Sequence, residues 1–151
     1  MPPAHVHLHL AEKLLARVPV ADSDAFRLGS VYPDCWREDE AEALRRHAYD
    51  AAAPVDDFCR GWLFHLWTDR RMKTVDTQGI ARETCLACDM EVIAPVVRRL
   101  RSLQLTGRAT DAQRVLPVAD NADHADVPEE IRTRYHALLD GLVCEFMKEH
   151  K

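Results

Sequence analysis

Wherever this chain is periodic, its apolar residues recur three and four positions apart. Leu8, Ala11, Leu14, Leu15 and Val18 keep that spacing near the start. Phe58, Trp62, Leu63, Leu66 and Trp67 keep it in the middle, and Ile131, Tyr135, Leu138, Leu139, Leu142, Val143 and Phe146 near the end. This is the period of a helix with one buried stripe, and the alternation that a half-buried strand needs appears nowhere. The pattern predicts an all-α chain, a helical bundle of about five main helices. At 151 residues it is a single domain over residues 1–151. A chain of that size buries enough surface to fold without a disulfide or a structural metal.

Local signals set the expected boundaries. The first helix runs from about His7 to Val18. Asp22, Ser23 and Asp24 offer an N-cap for a short turn through Phe26 and Leu28. Gly29 to Trp36, broken by Gly29 and Pro33, reads as an ordered loop with large apolar anchors. A charged helix follows over about Glu38 to Tyr49. The strongest helix has Pro54 near its first position and Asp56 and Asp57 in its first turn, where the dipole favours acids. It ends on Arg70, Arg71 and Lys73. A fourth spans about Thr77 to Leu105, with Pro95 expected to kink or divide it and Thr106-Gly107 to stop it. Thr110 to Ala125 reads as polar loop holding at most one short helix. Asp126 and Glu129 have capping-box spacing for a last helix from near Val127.

Composition narrows the function. Asp and Glu number 25 against 20 Lys and Arg, a formal charge of −5. A surface built to coat nucleic acid needs the opposite balance. No apolar run approaches the length of a membrane span, and Met1–Leu10 lacks the basic and apolar regions of a signal peptide. Five cysteines without framework spacing fit a reduced, cytoplasmic protein. Cys85-x-x-Cys88 has no second pair at zinc-finger spacing and reads as two helix-borne cysteines. The Asp120–Asp126 stretch lacks the oxygen spacing of an EF-hand and reads as a solvated loop. The sequence leaves a homo-oligomer open.

Eight histidines stand beside the acidic surplus. His65 and Asp69 lie four residues apart on the most apolar helix, hence on one face, where they form either a hydrogen-bonded core pair or part of a metal site. His7 on the first helix, Asp34 after Pro33, and His47 before the apolar helix each have an ordinary reading when taken alone. Together they make an order: His, Pro-Asp, His, then His-x-x-x-Asp. With that order the chain resembles the zinc-dependent phospholipase C superfamily, which includes the single-strand-specific nucleases, and in particular its short bacterial phospholipase C-like hydrolases. The matching stretches are His7-Leu8-x-x-Ala11, Leu28-Gly29-Ser30-Val31-Tyr32-Pro33-Asp34, Arg46-His47, and Phe58-x-x-Gly61-Trp62-Leu63-Phe64-His65-Leu66-Trp67-Thr68-Asp69. They cover the first half of the chain.

The resemblance implies an all-helical fold, a centre of two or three Zn²⁺ ions that this chain's departures from the family reduce to one or two per chain, and hydrolysis of a phosphodiester or phosphomonoester by metal-activated water. The substrate it implies is a small phosphoester or a phospholipid-like molecule. His47, His65, Asp34 and Asp69 are implied to hold one zinc, with Asp69 bridging to a second held by His7. Asp34 is further implied to be the general base. The larger relatives use an N-terminal Trp and a third zinc bound by histidines on a later helix. Neither is present here, so His5 or His9 would have to complete the second site, and Asp89 (or Glu83 or Glu91) would supply a carboxylate ligand. A non-catalytic metal-binding protein of the same fold, or a metal-sensing or metal-storing bundle that also uses Cys85 and Cys88, stands as the alternative.

Overall fold

The computed structural model describes residues 3–36, 40–47, 55–77, 79–117 and 127–150. Seven α-helices and one 3-10 helix account for the ordered elements among them. They are α1 (Ala4–Leu15), α2 (Ser23–Gly29), the 3-10 helix (Tyr32–Trp36), α3 (Glu40–Arg46), α4 (Asp57–Met72), α5 (Arg82–Ser102), α6 (Arg108–Arg114) and α7 (Glu129–Glu149). The all-α expectation holds, and among the described residues there is no strand. The count exceeds five by α2 and α6, each 7 residues long and too short to show a periodic stripe, where the sequence reads a short turn and at most one short helix.

Helix α1 is the central element. Every residue from Val6 to Ala11 is buried, as befits a helix enclosed on all sides. Its residues serve two apolar clusters. Val6, Leu10 and Leu14 meet Phe64 and Trp67 of α4 and Leu139 and Val143 of α7. Ala4 and Leu8 meet Leu28, Val31 and Tyr32, together with Ile93 and Val97 of α5. Leu8, Leu10 and Phe64 are essentially inaccessible, and each such side chain contributes roughly 1.5–3 kcal/mol of transfer free energy.

Caps and breaks follow local chemistry, with three corrections. Asp22 caps α2 by accepting the Ala25 N–H at 3.0 Å, and Asp56 caps α4 by accepting that of Cys59 at 2.7 Å. Pro95 does not divide α5. It lies on the exposed face, where water can satisfy the carbonyl its ring leaves free. Helix α5 stops at Ser102, ahead of Thr106-Gly107, and Gly107 adopts φ +62° as the N-cap of α6. Helix α7 begins at Glu129, two residues after the expected start near Val127, with Pro128 as its N-cap and no side-chain cap. Asp126, Pro54 and the Asp120–Asp126 stretch lie outside the described residues.

Helices α2 and α4 cross at backbone contact. A Cβ on Gly61 would stand 2.0 Å from the Phe26 carbonyl oxygen, and one on Gly29 would stand 1.9 Å from that of Phe58. Gly61, His65 and Asp69 are successive i+4 positions on one face of α4. The close crossing therefore decides where His65 and Asp69 point. No described helix is long and apolar enough to cross a membrane.

Candidate metal centre

Five residues from four places in the chain converge beside α1. His7 comes from α1, His65 and Asp69 from α4, and His47 from the residue after α3. Asp34 comes from the segment expected to be a loop, which is a 3-10 helix. Its Asp34 N–H bonds the Val31 carbonyl at 3.2 Å. Tyr32 anchors that turn, packing edge-on against Phe58 and Trp62, with the Arg46 guanidinium 4.3 Å over its ring.

His65 is the hub. Its Nδ1 lies 2.6 Å from the Ser30 carbonyl. A carbonyl only accepts, so Nδ1 carries the proton and the Nε2 of the neutral ring presents a lone pair. That Nε2 stands 3.1 Å from Asp69 Oδ2, 3.4 Å from His47 Nε2 and 3.5 Å from Asp34 Oδ1. His47 Nε2 is 3.2 Å from Asp34 Oδ1, and His7 Nε2 is 3.1 Å from Asp69 Oδ1. The His7 and His65 rings stack, with centroids 3.7 Å apart.

Electron pairs facing electron pairs repel unless a proton or cation lies between them. Asp34 Oδ2 and Asp69 Oδ2 are buried without a hydrogen-bond partner, which is costly for carboxylates in a protein interior. Two overlapping sets, His7 with Asp34 and His65, and His47 with His65 and Asp69, each offer ligand atoms within 4.8 Å of one another. Ligands about 2.0–2.2 Å from a tetrahedral ion stand roughly 3.3–3.6 Å from each other, near the separations found here. Three imidazoles and two carboxylates thus fit a small divalent cation, and the Nδ1–H to Ser30 bond is the outer-shell contact that orients a metal-binding histidine.

Electrostatics agree with that use. Burial above all lowers His7 to about 4 despite Asp69 and Asp34, so at neutral pH its ring is uncharged, as a ligand must be. Burial would raise both carboxylates. For Asp34 the His47 hydrogen bond leads the effects that outweigh it, and for Asp69 the adjoining imidazoles of His65 and His7 do so. Both therefore ionise more readily than usual. Stability of the metal-free protein should follow. The unfolded chain binds His7's proton near pH 6.5 while the folded one resists to about 4. The His7 contribution is complete above pH 6.5 and disappears as pH falls towards 4, by on the order of 3 kcal/mol. A thermal melting temperature that falls between pH 7 and 4, with a shallower fall in His7→Gln, is the expected result. An equal slope in both proteins would contradict it.

Asp89 takes a different place. It lies on α5, fully buried, and belongs to neither set. Its Oδ2 meets His5 Nδ1 at 2.6 Å, and its Oδ1 meets His9 Nδ1 at 2.7 Å and the Tyr135 hydroxyl at 2.7 Å. These bonds, led by those from His5 and His9, outweigh burial and hold Asp89 below the usual carboxylate range. Asp89 accordingly ties α1 to α5 and α7. The His5–His9 spacing of four was the sequence signal for this second cluster, whereas Tyr135 gave none, because its place in an apolar stripe reads as core. Cys85 and Cys88 are free thiols on α5, both raised by burial, and neither joins a described metal set. His124 lies outside the described residues, and the His136 ring packs edge-on to His9, with centroids 5.0 Å apart.

Comparison with protein-family models, curated proteins and solved structures finds no match to this chain.

Proposed function

We propose that this chain is a metal-dependent phosphoesterase, with zinc as its metal, hydrolysing a phosphodiester or phosphomonoester and related to the zinc-dependent phospholipase C superfamily. One observation carries the reading. His7, Asp34, His47, His65 and Asp69, the residues singled out by the sequence resemblance, lie within contact of one another with two buried carboxylate oxygens unsatisfied. His47, His65, Asp34 and Asp69 would hold one ion, and His7 with Asp69 a second. Bound there, the metal would supply a water of lowered pKa and positive charge opposite the phosphoryl oxygens. Asp34, with Oδ2 unpartnered, takes the proton of the attacking water. Ser30 keeps His65 in its ligating tautomer, and His7 braces that ring by stacking. Asp89, saturated by its three donors, lends no ligand in this reading.

The test is elemental analysis of protein purified without added metal, together with turnover of p-nitrophenyl phosphate and bis(p-nitrophenyl) phosphate. At least about one divalent ion per chain is expected. Asp34→Asn should keep the metal and lose roughly 10²–10⁴-fold in turnover. Less than one ion, with no gain on adding Zn²⁺, sinks the proposal. A second reading, a non-catalytic metal-binding protein, draws on the depth of the site, since His7 and His65 are only 1% and 0% exposed. Bound metal without turnover of either ester would select it.

A further inference from the structure

A cavity of about 390 Å³ opens beside the metal centre, and Asp69 is in its wall. Resting on the function proposed above, we infer that this cavity receives the organic part of the substrate, and that the substrate is a compact phosphate ester whose apolar body carries a second anionic group. Three observations lead there. First, Asp69 belongs both to one of the two candidate cation-binding sets and to the cavity wall, so a phosphoryl group at the centre directs its substituent into this space. Second, the volume is at the lower end of small-molecule sites, roughly 300–1,000 Å³. Its wall is largely apolar, built by Val6, Met72, Ile80 and Leu139. That suits one small apolar body.

Third, the charges in the wall that no partner offsets have one sign. Lys73, the C-cap residue of α4, and Arg82, the first residue of α5, both line the cavity. Both are exposed, and among the described residues neither is engaged in an ion pair or side-chain hydrogen bond. Asp69 is the one carboxylate among the lining residues, and its charge is committed to His7 and His65. A substituent bearing a positive charge would meet two cations here, and one bearing a negative charge would complement them.

The experiment compares three phosphonates that share a head and differ in tail charge: 4-carboxybenzylphosphonate, benzylphosphonate and 4-(trimethylammoniomethyl)benzylphosphonate. Each is titrated calorimetrically into the zinc-loaded full chain. The carboxylate form should bind about tenfold more tightly than the ammonium form at low salt, with the neutral form between them. Lys73→Glu combined with Arg82→Glu should abolish or reverse that order, and the neutral pair Lys73→Gln and Arg82→Gln should flatten it. Both sites are exposed, and circular dichroism checks that the fold persists. Equal affinities in the parent protein, or an order unchanged in the charge-reversed variant, overturn the inference. A protein that holds zinc and hydrolyses a phosphoester but binds none of the three overturns this inference alone. A protein that binds no zinc overturns the proposed function, and this inference falls with it.

Discussion

On the proposed metal-dependent function, His65→Ala should abolish divalent-cation binding. His65 is the only residue common to the two candidate ligand sets, and its Nε2 lies 3.1–3.5 Å from donors on Asp69, His47 and Asp34. Altering an outer-shell contact typically costs ten- to a hundredfold in metal affinity, so removing the central ligand should cost more than about a hundredfold. The loss is larger than one ligand bond would give. Ala also removes the ring on which His7 stacks and leaves the Ser30 carbonyl without its partner. Elemental analysis after dialysis reads the outcome directly. A second readout is thermal: on the proposed reading zinc should raise the melting temperature of the parent protein by mass action, and that shift should vanish in the variant. A variant that retains a full equivalent of zinc with an undiminished shift would show that the metal sits elsewhere.

Gly61→Ala, like Gly29→Ala, forces a new methyl into the backbone of the facing helix. The added methyl would lie 2.0 Å from the Phe26 carbonyl oxygen and 3.0 Å from the Ser30 nitrogen, all of it backbone. No rotamer change relieves that contact, so α2 and α4 must separate. The cost should be about 2–4 kcal/mol, larger than the roughly 1 kcal/mol an alanine gains in helix propensity. For a chain of this size that lowers the melting temperature by roughly 5–15 °C. Zinc affinity should fall too, because Ser30, which orients His65, moves with α2. Gly141→Ala is the matched comparison. It lies on α7 with nothing within 4 Å of its would-be Cβ, and there the same change should leave stability equal or slightly higher. Equal melting temperatures for the two variants would refute the close-crossing account.

Much of the centre was legible because its residues carry chemistry in their type and order. His65 and Asp69 announce themselves by helical spacing on an apolar helix. His7, Asp34 and His47 became conspicuous only through their order relative to that pair, and the fold brings them to it. Asp89 shows the limit. A carboxylate on a helix looks the same in sequence whether it binds a metal or accepts three hydrogen bonds. Which of these it does depends on α1 and α7 bringing His5, His9 and Tyr135 to it from 84, 80 and 46 residues away in sequence.

The sequence alone determined the class of structure. A period of three and four residues without alternation can bury its apolar atoms only by packing helices on helices. It also marked Asp22 among the candidate caps of α2, because a cap acts within four residues of itself, whereas Asp56, read as a first-turn acid, is the cap of α4. Tertiary structure decided the rest. Three 7-residue helices exist because neighbours hold them, since segments that short lack the cooperativity to persist alone. The acidic surplus was divided the same way. Asp34, Asp69 and Asp89 are buried among histidines from distant segments, and burial with a partner is a property of the packed chain. One sequence-distant contact, Gly61 against Phe26, sets how closely α4 approaches α2 and with it the aim of His65.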